Sequence, residues 1–160
     1  MNSLIERLKK EFPKINFRES NNFYWSPLDR IVYFQADKMD TPEASYALMH
    51  EIGHSILKHR EYESDYGLLK MEIEAWEKAK QIAHKLKLEL SIEHIENCLD
   101  TYRDWLNKRS ICPTCSVQSF QTINPSYYSC FNCHTKWKVS SSRFCRVYRA
   151  SKNVEQRYLM

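Results

Sequence analysis

The sequence is poor in glycine, since Gly53 and Gly67 are the only two among its 160 residues. Flexible linkers are usually rich in glycine and serine, so this scarcity argues against mobile tethers between folded parts. The sequence also lacks an apolar run long enough to span a membrane, and its first ten residues are charged and amphipathic rather than a secretory signal core. We therefore expect a cytoplasmic protein with no membrane partner.

Acidic residues are almost absent from the C-terminal third. Residues 108–160 contain nine Lys/Arg and one acid, Glu155, a net charge of +8, whereas residues 1–107 have a net charge of −4. A basic segment attached to an acidic one favours contact with a nucleic acid or another polyanion.

The centre of the sequence carries the pentapeptide His50-Glu-Ile-Gly-His54. Thr41 followed by Pro42 is a typical helix start, so the motif lies in a helix predicted over residues 42–58. Two histidines four residues apart share one helix face and can bind one metal ion, while Glu51 is placed to act as general base. The alternative is a chance match with two ordinary helix histidines, and we favour the metal site.

The remaining pattern predicts an α+β fold. Helices are expected at residues 3–12, 68–87 and from Ser91 onwards, and a short strand is expected around residues 15–17. Two further segments, 22–25 and 30–34, flank the turn 26–29 and predict a β-hairpin.

A catalytic zinc site usually has three protein ligands, and Glu72 and Glu74 are the candidates for the third. Helical phase separates them, because the face that continues from Glu72 is apolar and the face that continues from Glu74 is polar. A carboxylate on a buried face needs a charged partner such as a metal ion. We therefore favour Glu72.

The arrangement resembles the ImmA/IrrE family of zinc metallopeptidases. The resemblance rests on the motif at residues 50–54, on His59, and on a helix with Glu72, Ala75 and Ala79. It covers about residues 20–87, and it implies that the glutamate is the third zinc ligand. It also implies a substrate class, repressor-type DNA-binding proteins.

The chain departs from this family pattern at Lys78, where phenylalanine is usual, and no helix-turn-helix segment is recognised. A second resemblance is to SprT-like proteases, which also join an H-E-x-x-H domain to a zinc ribbon and act on DNA-bound proteins. They take a third histidine from a later segment, for which His84 and His94 are the candidates.

The C-terminal part contains two C-x-x-C pairs, Cys112 with Cys115 and Cys130 with Cys133. Because cytoplasmic thiols stay reduced, two matched pairs favour a structural zinc ion over a disulfide or a redox dithiol. Strands expected at residues 117–123, 127–129 and 135–139 complete a β zinc ribbon, whose small core would need the metal to fold.

The tail after the ribbon alternates arginine with aromatic residues, with Arg143, Arg146 and Arg149 as candidate nucleic-acid contacts. A solvated basic tail is the equal alternative.

Together these features predict three parts: a small zincin-like metallopeptidase domain at 1–107, the four-cysteine ribbon at 108–140 and the basic tail at 141–160. The first part is expected to have an N-terminal helix, a short antiparallel sheet, the active-site helix and further long helices. A substrate strand is expected to add to the edge of the strand 30–34.

The predicted activity is zinc-dependent cleavage of a protein substrate, with two zinc ions per chain, one catalytic and one structural. His50, His54 and Glu72 would bind the catalytic ion and Glu51 would transfer protons. The candidates for oxyanion or substrate contact are His59, Tyr62 and Tyr66. A zinc-stabilised nucleic-acid-binding protein without peptidase activity is the alternative, and the sequence leaves the oligomeric state open.

Overall fold

Four α-helices and two small β-sheets make up the protein in the computed structural model, which describes residues 3–140 and 149–151. The predicted α+β class is confirmed. The helices are α1 (Leu4–Glu11), α2 (Pro42–Leu57), α3 (Asp65–Leu86) and α4 (Ile92–Ser110). The strands are β1 (Asn16–Glu19), β2 (Tyr24–Ser26), β3 (Ile31–Phe34), β4 (Phe120–Gln121), β5 (Tyr127–Ser129), β6 (Lys136–Val139) and β7 (Arg149–Ser151).

The chain divides into two compact units. The first comprises the described residues up to Glu61 together with Lys70–Ile95, and the second comprises Tyr62–Leu69 and the described residues from Glu96 onwards. Helices α3 and α4 therefore each contribute to both units. The predicted division at residue 107 falls inside α4 and stays a prediction.

Helix α2 begins where the sequence indicates. The Thr41 side chain accepts a hydrogen bond from the Ala44 backbone N–H at 3.2 Å, and Pro42 occupies the first turn, where its missing N–H costs nothing. The helix ends at Lys58, which has the left-handed conformation with φ 56°. The motif residues thus lie in the second half of a regular helix.

The first sheet has the strand order β1-β3-β2 and is mixed rather than antiparallel. The predicted hairpin is present, with Trp25 paired to Val32 in antiparallel register. However, β1 runs parallel to β3. The expectation of an antiparallel sheet was therefore wrong. The hairpin places β2 on one side of β3, and the residues between β1 and β2 cross the end of β3. Strand β1 consequently lies on the other side of β3 and runs parallel to it.

Strand β3 is consequently central, and the expectation that a substrate strand could add to its edge was also wrong. Its backbone groups are already paired on both sides. The edges of this sheet are β1 and β2.

Gly53 sets the closest approach between α2 and α3. A Cβ atom built on Gly53 would lie 2.5 Å from the Ala75 carbonyl oxygen, a distance that real Cβ atoms do not reach. The glycine inside the motif therefore lets the α3 backbone come next to the helix that carries the two histidines.

The second unit contains a four-stranded sheet of order β4-β5-β6-β7. Its core includes Cys112, Tyr128, Cys130, Trp137 and Val139, all at most 4% exposed. Strand β5 has the predicted bounds, whereas β4 and β6 are shorter than predicted. Strand β7 was not predicted, because it lies in the segment interpreted as a tail.

A buried ion pair also lies in this unit. Asp65 at the start of α3 and Arg109 at the end of α4 are 3% and 2% exposed, and Arg109 Nε donates to Asp65 Oδ2 at 2.6 Å. The Tyr128 hydroxyl donates to the same oxygen at 2.6 Å. The Trp137 indole N–H donates to the Arg109 carbonyl at 3.0 Å. These bonds connect both helices to the four-stranded sheet, called the ribbon sheet below.

Among the described helices, none is long and apolar enough to cross a membrane.

Candidate metal centres

Three side chains of the first unit converge on one point. His50 Nε2 lies 3.0 Å from His54 Nε2 and 3.2 Å from Glu72 Oε2, and His54 Nε2 lies 3.6 Å from Glu72 Oε1. The three residues are 8%, 8% and 7% exposed. They form a group that could hold a metal ion.

Helical geometry explains this convergence. His50 and His54 are four residues apart on α2, so their rings project from one face. Glu72 lies on the buried face of α3, together with Ala75 and Trp76, whereas the Glu74 side chain is 45% exposed. The Trp76 ring packs against the His50 ring with centroids 4.3 Å apart, which restricts the orientation of that imidazole.

The spacing of the three donor atoms fits a small divalent cation. Tetrahedral coordination at about 2.0–2.1 Å places neighbouring nitrogen and oxygen ligands about 3.3 Å apart. The observed separations of 3.0, 3.2 and 3.6 Å bracket this value. Two imidazole nitrogens and a carboxylate are also the donor types that zinc prefers in three-ligand sites.

Electrostatics favours the carboxylate form of Glu72. Burial alone would raise the pKa of Glu72, but hydrogen bonds and charge attraction from His50 and His54 hold the pKa well below its usual range. The anionic carboxylate is the form that metal binding requires.

Glu51 is held by the edge strand of the sheet. The backbone N–H of Trp25 donates to Glu51 Oε2 at 2.7 Å. The Trp25 indole N–H donates to the His59 carbonyl at 2.9 Å, so one residue of β2 contacts both the motif helix and the loop that follows it. Trp25 was missed by the sequence analysis, because nothing in the local pattern says which strand residue faces the helix.

His59 lies behind His54 rather than beside the other two ligand candidates. The Nδ1 atoms of His59 and His54 are 2.8 Å apart, and His59 Nε2 is 3.4 Å from Glu74 Oε2. If His54 Nε2 binds a metal, its Nδ1 carries the proton and donates to His59 Nδ1, and His59 Nε2–H then faces Glu74. Burial and the nearby His54 lower the pKa of His59, and Glu74 opposes this effect. The lowered pKa favours the neutral form of His59.

The outer nitrogen of His50 differs from that of His54. Its Nδ1 is buried and has no hydrogen-bond partner among the described residues. The ring is fixed instead by its contact with Trp76.

Several other candidates are not members of this group. Tyr62 and Tyr66 belong to the second unit and are 43% and 68% exposed. His84 is exposed on α3, and His94 packs against the rings of Tyr46 and Trp76 at centroid distances of 5.2 and 5.9 Å. Within the described residues, the group with His50 and His54 has Glu72 as its third member and neither of the later histidines.

The four cysteines of the ribbon form a second group. The Sγ atoms of Cys112 and Cys133 are 3.6 Å apart, and those of Cys115 and Cys130 are 3.5 Å apart. A disulfide would need about 2.05 Å, whereas tetrahedral Zn–S coordination at about 2.3 Å places sulfurs about 3.8 Å apart. The spacing therefore fits a metal and not a disulfide.

Local hydrogen bonds favour the thiolate form of Cys130 and Cys133. The Cys133 backbone N–H donates to Cys130 Sγ at 3.5 Å and is the main reason that the pKa of Cys130 falls to about 6. The hydroxyl and backbone N–H of Thr135 lower the pKa of Cys133. Thiolate is the form that binds metal.

Most of the candidate nucleic-acid contacts lie outside the residues that the structure describes. Arg143 and Arg146 lie outside the described residues, and Arg149 is placed in β7 by its backbone alone.

No protein-family model matches the chain, and neither a curated protein nor a solved structure matches it. The inference of function therefore rests on the two groups of candidate metal ligands.

Proposed function

We propose that the protein is a zinc-dependent endopeptidase with a catalytic ion at His50, His54 and Glu72. The observation that carries this proposal is the position of Glu51, one residue after a metal-binding histidine and held by the Trp25 backbone N–H at 2.7 Å. A structural zinc site has no need of such a carboxylate, whereas hydrolysis needs a general base.

The chain's own groups supply most of the proposed mechanism. Zinc bound at this site would provide Lewis-acid activation of a water molecule and of the scissile carbonyl. Glu51 accepts the proton of the attacking water and returns it to the leaving amine. Trp25 limits the motion of the Glu51 carboxylate, and the His54–His59–Glu74 chain fixes the orientation of the His54 ring.

Both ring nitrogens of His59 have neighbours, at His54 and at Glu74. We therefore assign His59 a positioning role rather than contact with the oxyanion. Tyr62 and Tyr66 stay as predicted candidates for that contact.

The fold elements support a zincin-like arrangement, in which a small sheet lies next to the motif helix and a further helix supplies the third ligand. This arrangement, together with the motif, agrees with the resemblance to the ImmA/IrrE family. It favours this family over SprT-like proteases, because a glutamate and not a later histidine completes the group. We accordingly propose a protein substrate, with DNA-binding repressors as the class that the resemblance implies.

We further propose that the four-cysteine group binds a structural zinc ion. The ribbon core is small, so metal binding would contribute directly to its folding. Four reduced thiols also fit the predicted cytoplasmic location. The net charge of +8 in residues 108–160 supports an additional contact with nucleic acid.

The decisive experiment compares Glu51→Gln with the wild type after zinc loading. Glutamine keeps an acceptor for the Trp25 N–H but cannot act as a base, so we expect normal zinc content and a loss of peptidase activity of at least about 10²-fold. Glu43→Gln is the matched control, because Glu43 is an exposed glutamate in the first turn of the same helix.

Equal cleavage by the wild type and Glu51→Gln would remove Glu51 from the base role. A zinc-loaded wild type that cleaves no peptide but binds oligonucleotides through residues 108–160 would favour the alternative function, which is nucleic-acid binding without peptidase activity.

A further inference from the structure

A cavity of about 580 Å³ lies beside the C-terminal half of α2. Trp25 of β2, Ser55 of α2 and Lys58 at the helix end all line it. The cavity lies wholly within the first unit and contains none of the three metal-binding side chains. It is therefore a feature separate from the metal group.

The cavity is adjacent to the proposed general base. Ser55 is four residues after Glu51 and so lies on the same face of α2. Trp25 lines the cavity and also donates its backbone N–H to Glu51. At 1.5 Å per residue, Ser55 and Lys58 lie about 6 and 10 Å beyond Glu51 along the helix.

The rim of the cavity is strongly cationic. Four exposed basic residues line it, and none makes an ion pair with any residue that the structure describes: Lys14, Arg30, Lys58 and Arg60. The single acid in the lining, Glu11, is paired with Lys85. The four positive charges are thus available to a ligand.

The wall of the cavity is partly apolar. Phe12, Trp25 and Ile56 contribute to the lining, so a ligand that fills the cavity contacts both ring and aliphatic surface. Apolar walls with a few charged groups at the rim are typical of sites that bind a short segment of defined chemistry.

The position of the cavity favours a peptide as its occupant. Trp25 lines the cavity and its backbone N–H holds Glu51, so a ligand in the cavity lies next to the proposed general base. A peptide that passes this base can extend an acidic side chain into the cavity, where it meets the basic residues of the rim. A nucleic acid has no amide bond for this base to help cleave, so the combined features favour a peptide.

We propose that this cavity, which we name the cationic pocket, binds an acidic segment of the peptide substrate close to the scissile bond. The pocket would accept a glutamate or aspartate next to an apolar residue. Because an extended peptide advances about 3.3 Å per residue, a separation of about 6 to 10 Å corresponds to about two or three residues. This inference rests on the proposed peptidase function and specifies its substrate.

The first test measures binding separately from cleavage. The probe is a fluorescein-labelled peptide of alternating glutamate and leucine, titrated against zinc-loaded Glu51→Gln protein, with a lysine–leucine peptide for comparison. We expect the acidic peptide to bind at least about fivefold more tightly. We also expect the double variant Lys14→Ala/Arg60→Ala to lose this preference.

The matched control is Lys10→Ala/Lys38→Ala, which removes the same charge at two exposed lysines outside the pocket lining. It should keep the preference. Equal loss in the control would mean that net charge alone attracts the peptide, and this would overturn the pocket.

The second test uses the active protein on a peptide library and reads the sequences around the cleaved bonds. We expect acidic residues to be enriched two or three positions from the bond on one side, and Lys14→Ala/Arg60→Ala to remove the enrichment. Cleavage without acidic enrichment would overturn the pocket and leave the peptidase standing. No cleavage, with selective acidic binding in the first test, would overturn the peptidase and leave the pocket standing.

A single-stranded oligonucleotide serves as competitor in the binding test. If it binds more tightly than the acidic peptide and is weakened by the same double variant, nucleic acid is the occupant and the peptide assignment is wrong.

Discussion

The two glutamates near the start of α3 show how one carboxylate becomes a candidate metal ligand while its neighbour does not. Glu72 is 7% exposed, and its oxygens face two imidazole nitrogens at 3.2 and 3.6 Å. Glu74, two residues later, has a 45% exposed side chain and lies near His59 and Lys70. A rotation of about 200° around the helix separates the two side chains.

We predict that Glu72→Gln will reduce the zinc content of the full chain from two ions to one and abolish peptidase activity. A neutral amide is a poor zinc ligand, and the remaining two histidines do not complete a three-ligand site. Elemental analysis of the purified chain, combined with a peptidase assay, measures both effects.

Glu74→Gln is the control in the same helix. The Glu74 side chain is 45% exposed, and glutamine keeps an oxygen that can accept the hydrogen bond from His59 Nε2–H, so we expect both zinc ions and most of the activity to be retained. Loss of the catalytic zinc in Glu74→Gln but not in Glu72→Gln would reverse the assignment of the third ligand.

At the scale of elements, the crossing of α2 and α3 depends on the absence of a side chain at Gly53. The Ala75 carbonyl occupies the place that a Cβ would take. Glycine in a helix interior normally destabilises it by about 0.5–1 kcal/mol relative to alanine. Here the close approach brings Glu72, three residues before Ala75, to the two histidines.

We predict that Gly53→Ala will lower the free energy of unfolding by about 1–3 kcal/mol, because the added methyl group meets backbone rather than a movable side chain. It should also weaken catalytic zinc binding, since α3 must shift to relieve the contact. Urea denaturation and zinc titration measure the two effects.

Gly67→Ala tests whether helix propensity alone explains the result. A Cβ at Gly67 would lie 3.1 Å from the Ser64 Oγ, a side-chain atom that accepts a hydrogen bond from the Gly67 backbone N–H at 3.0 Å and needs to move only slightly. We expect a small change in the free energy of unfolding, and the higher helix propensity of alanine should make that change stabilising. A stabilised Gly53→Ala protein would contradict the proposed packing of α2 against α3.

At the scale of the whole molecule, the second unit contains parts of α3 and α4 as well as the four-stranded sheet. Asp65 and Arg109 come from α3 and α4, and Tyr128 and Trp137 come from the ribbon sheet. The guanidinium also lies over the Trp105 ring, 4.4 Å from its centroid. A chain cut at residue 107 would lose Arg109 and Tyr128 together and leave the Asp65 carboxylate without either partner, so the zinc content is best compared in the full chain.

We predict that Arg109→Met will lower the free energy of unfolding by about 3–5 kcal/mol, because it leaves a buried carboxylate without its cation. Adding Asp65→Asn should recover part of this loss, since the buried charge is then removed. Urea denaturation of zinc-loaded protein, followed by tryptophan fluorescence, measures the change.

Arg103→Met is the matched control. Arg103 pairs with Glu96 and Asp100 at 2.7 and 2.8 Å, but all three side chains are at least 41% exposed, so the expected loss is at most about 1 kcal/mol. Similar losses for the Arg103 and Arg109 variants would show that burial of the ion pair has no special energetic role.

The sequence by itself determined the α+β class, the four described helices and both groups of candidate metal ligands. Each of these follows from short-range rules: a cap at Thr41, a four-residue histidine spacing, an apolar phase that begins at Glu72, and paired C-x-x-C segments. Such rules act over a few residues, so the amino-acid sequence is enough to apply them.

Only the tertiary structure decided which distant residues meet. It showed that the Trp25 backbone N–H contacts Glu51, that His59 contacts the outer nitrogen of His54, and that β3 is a central strand. The cationic pocket likewise joins residues from α1, the hairpin and the end of α2, which no local pattern connects. The physical reason is that strand order and helix crossing depend on the packing of the complete core, and a single glycine–carbonyl contact at Gly53 fixes the distance between the two helices that carry the metal group.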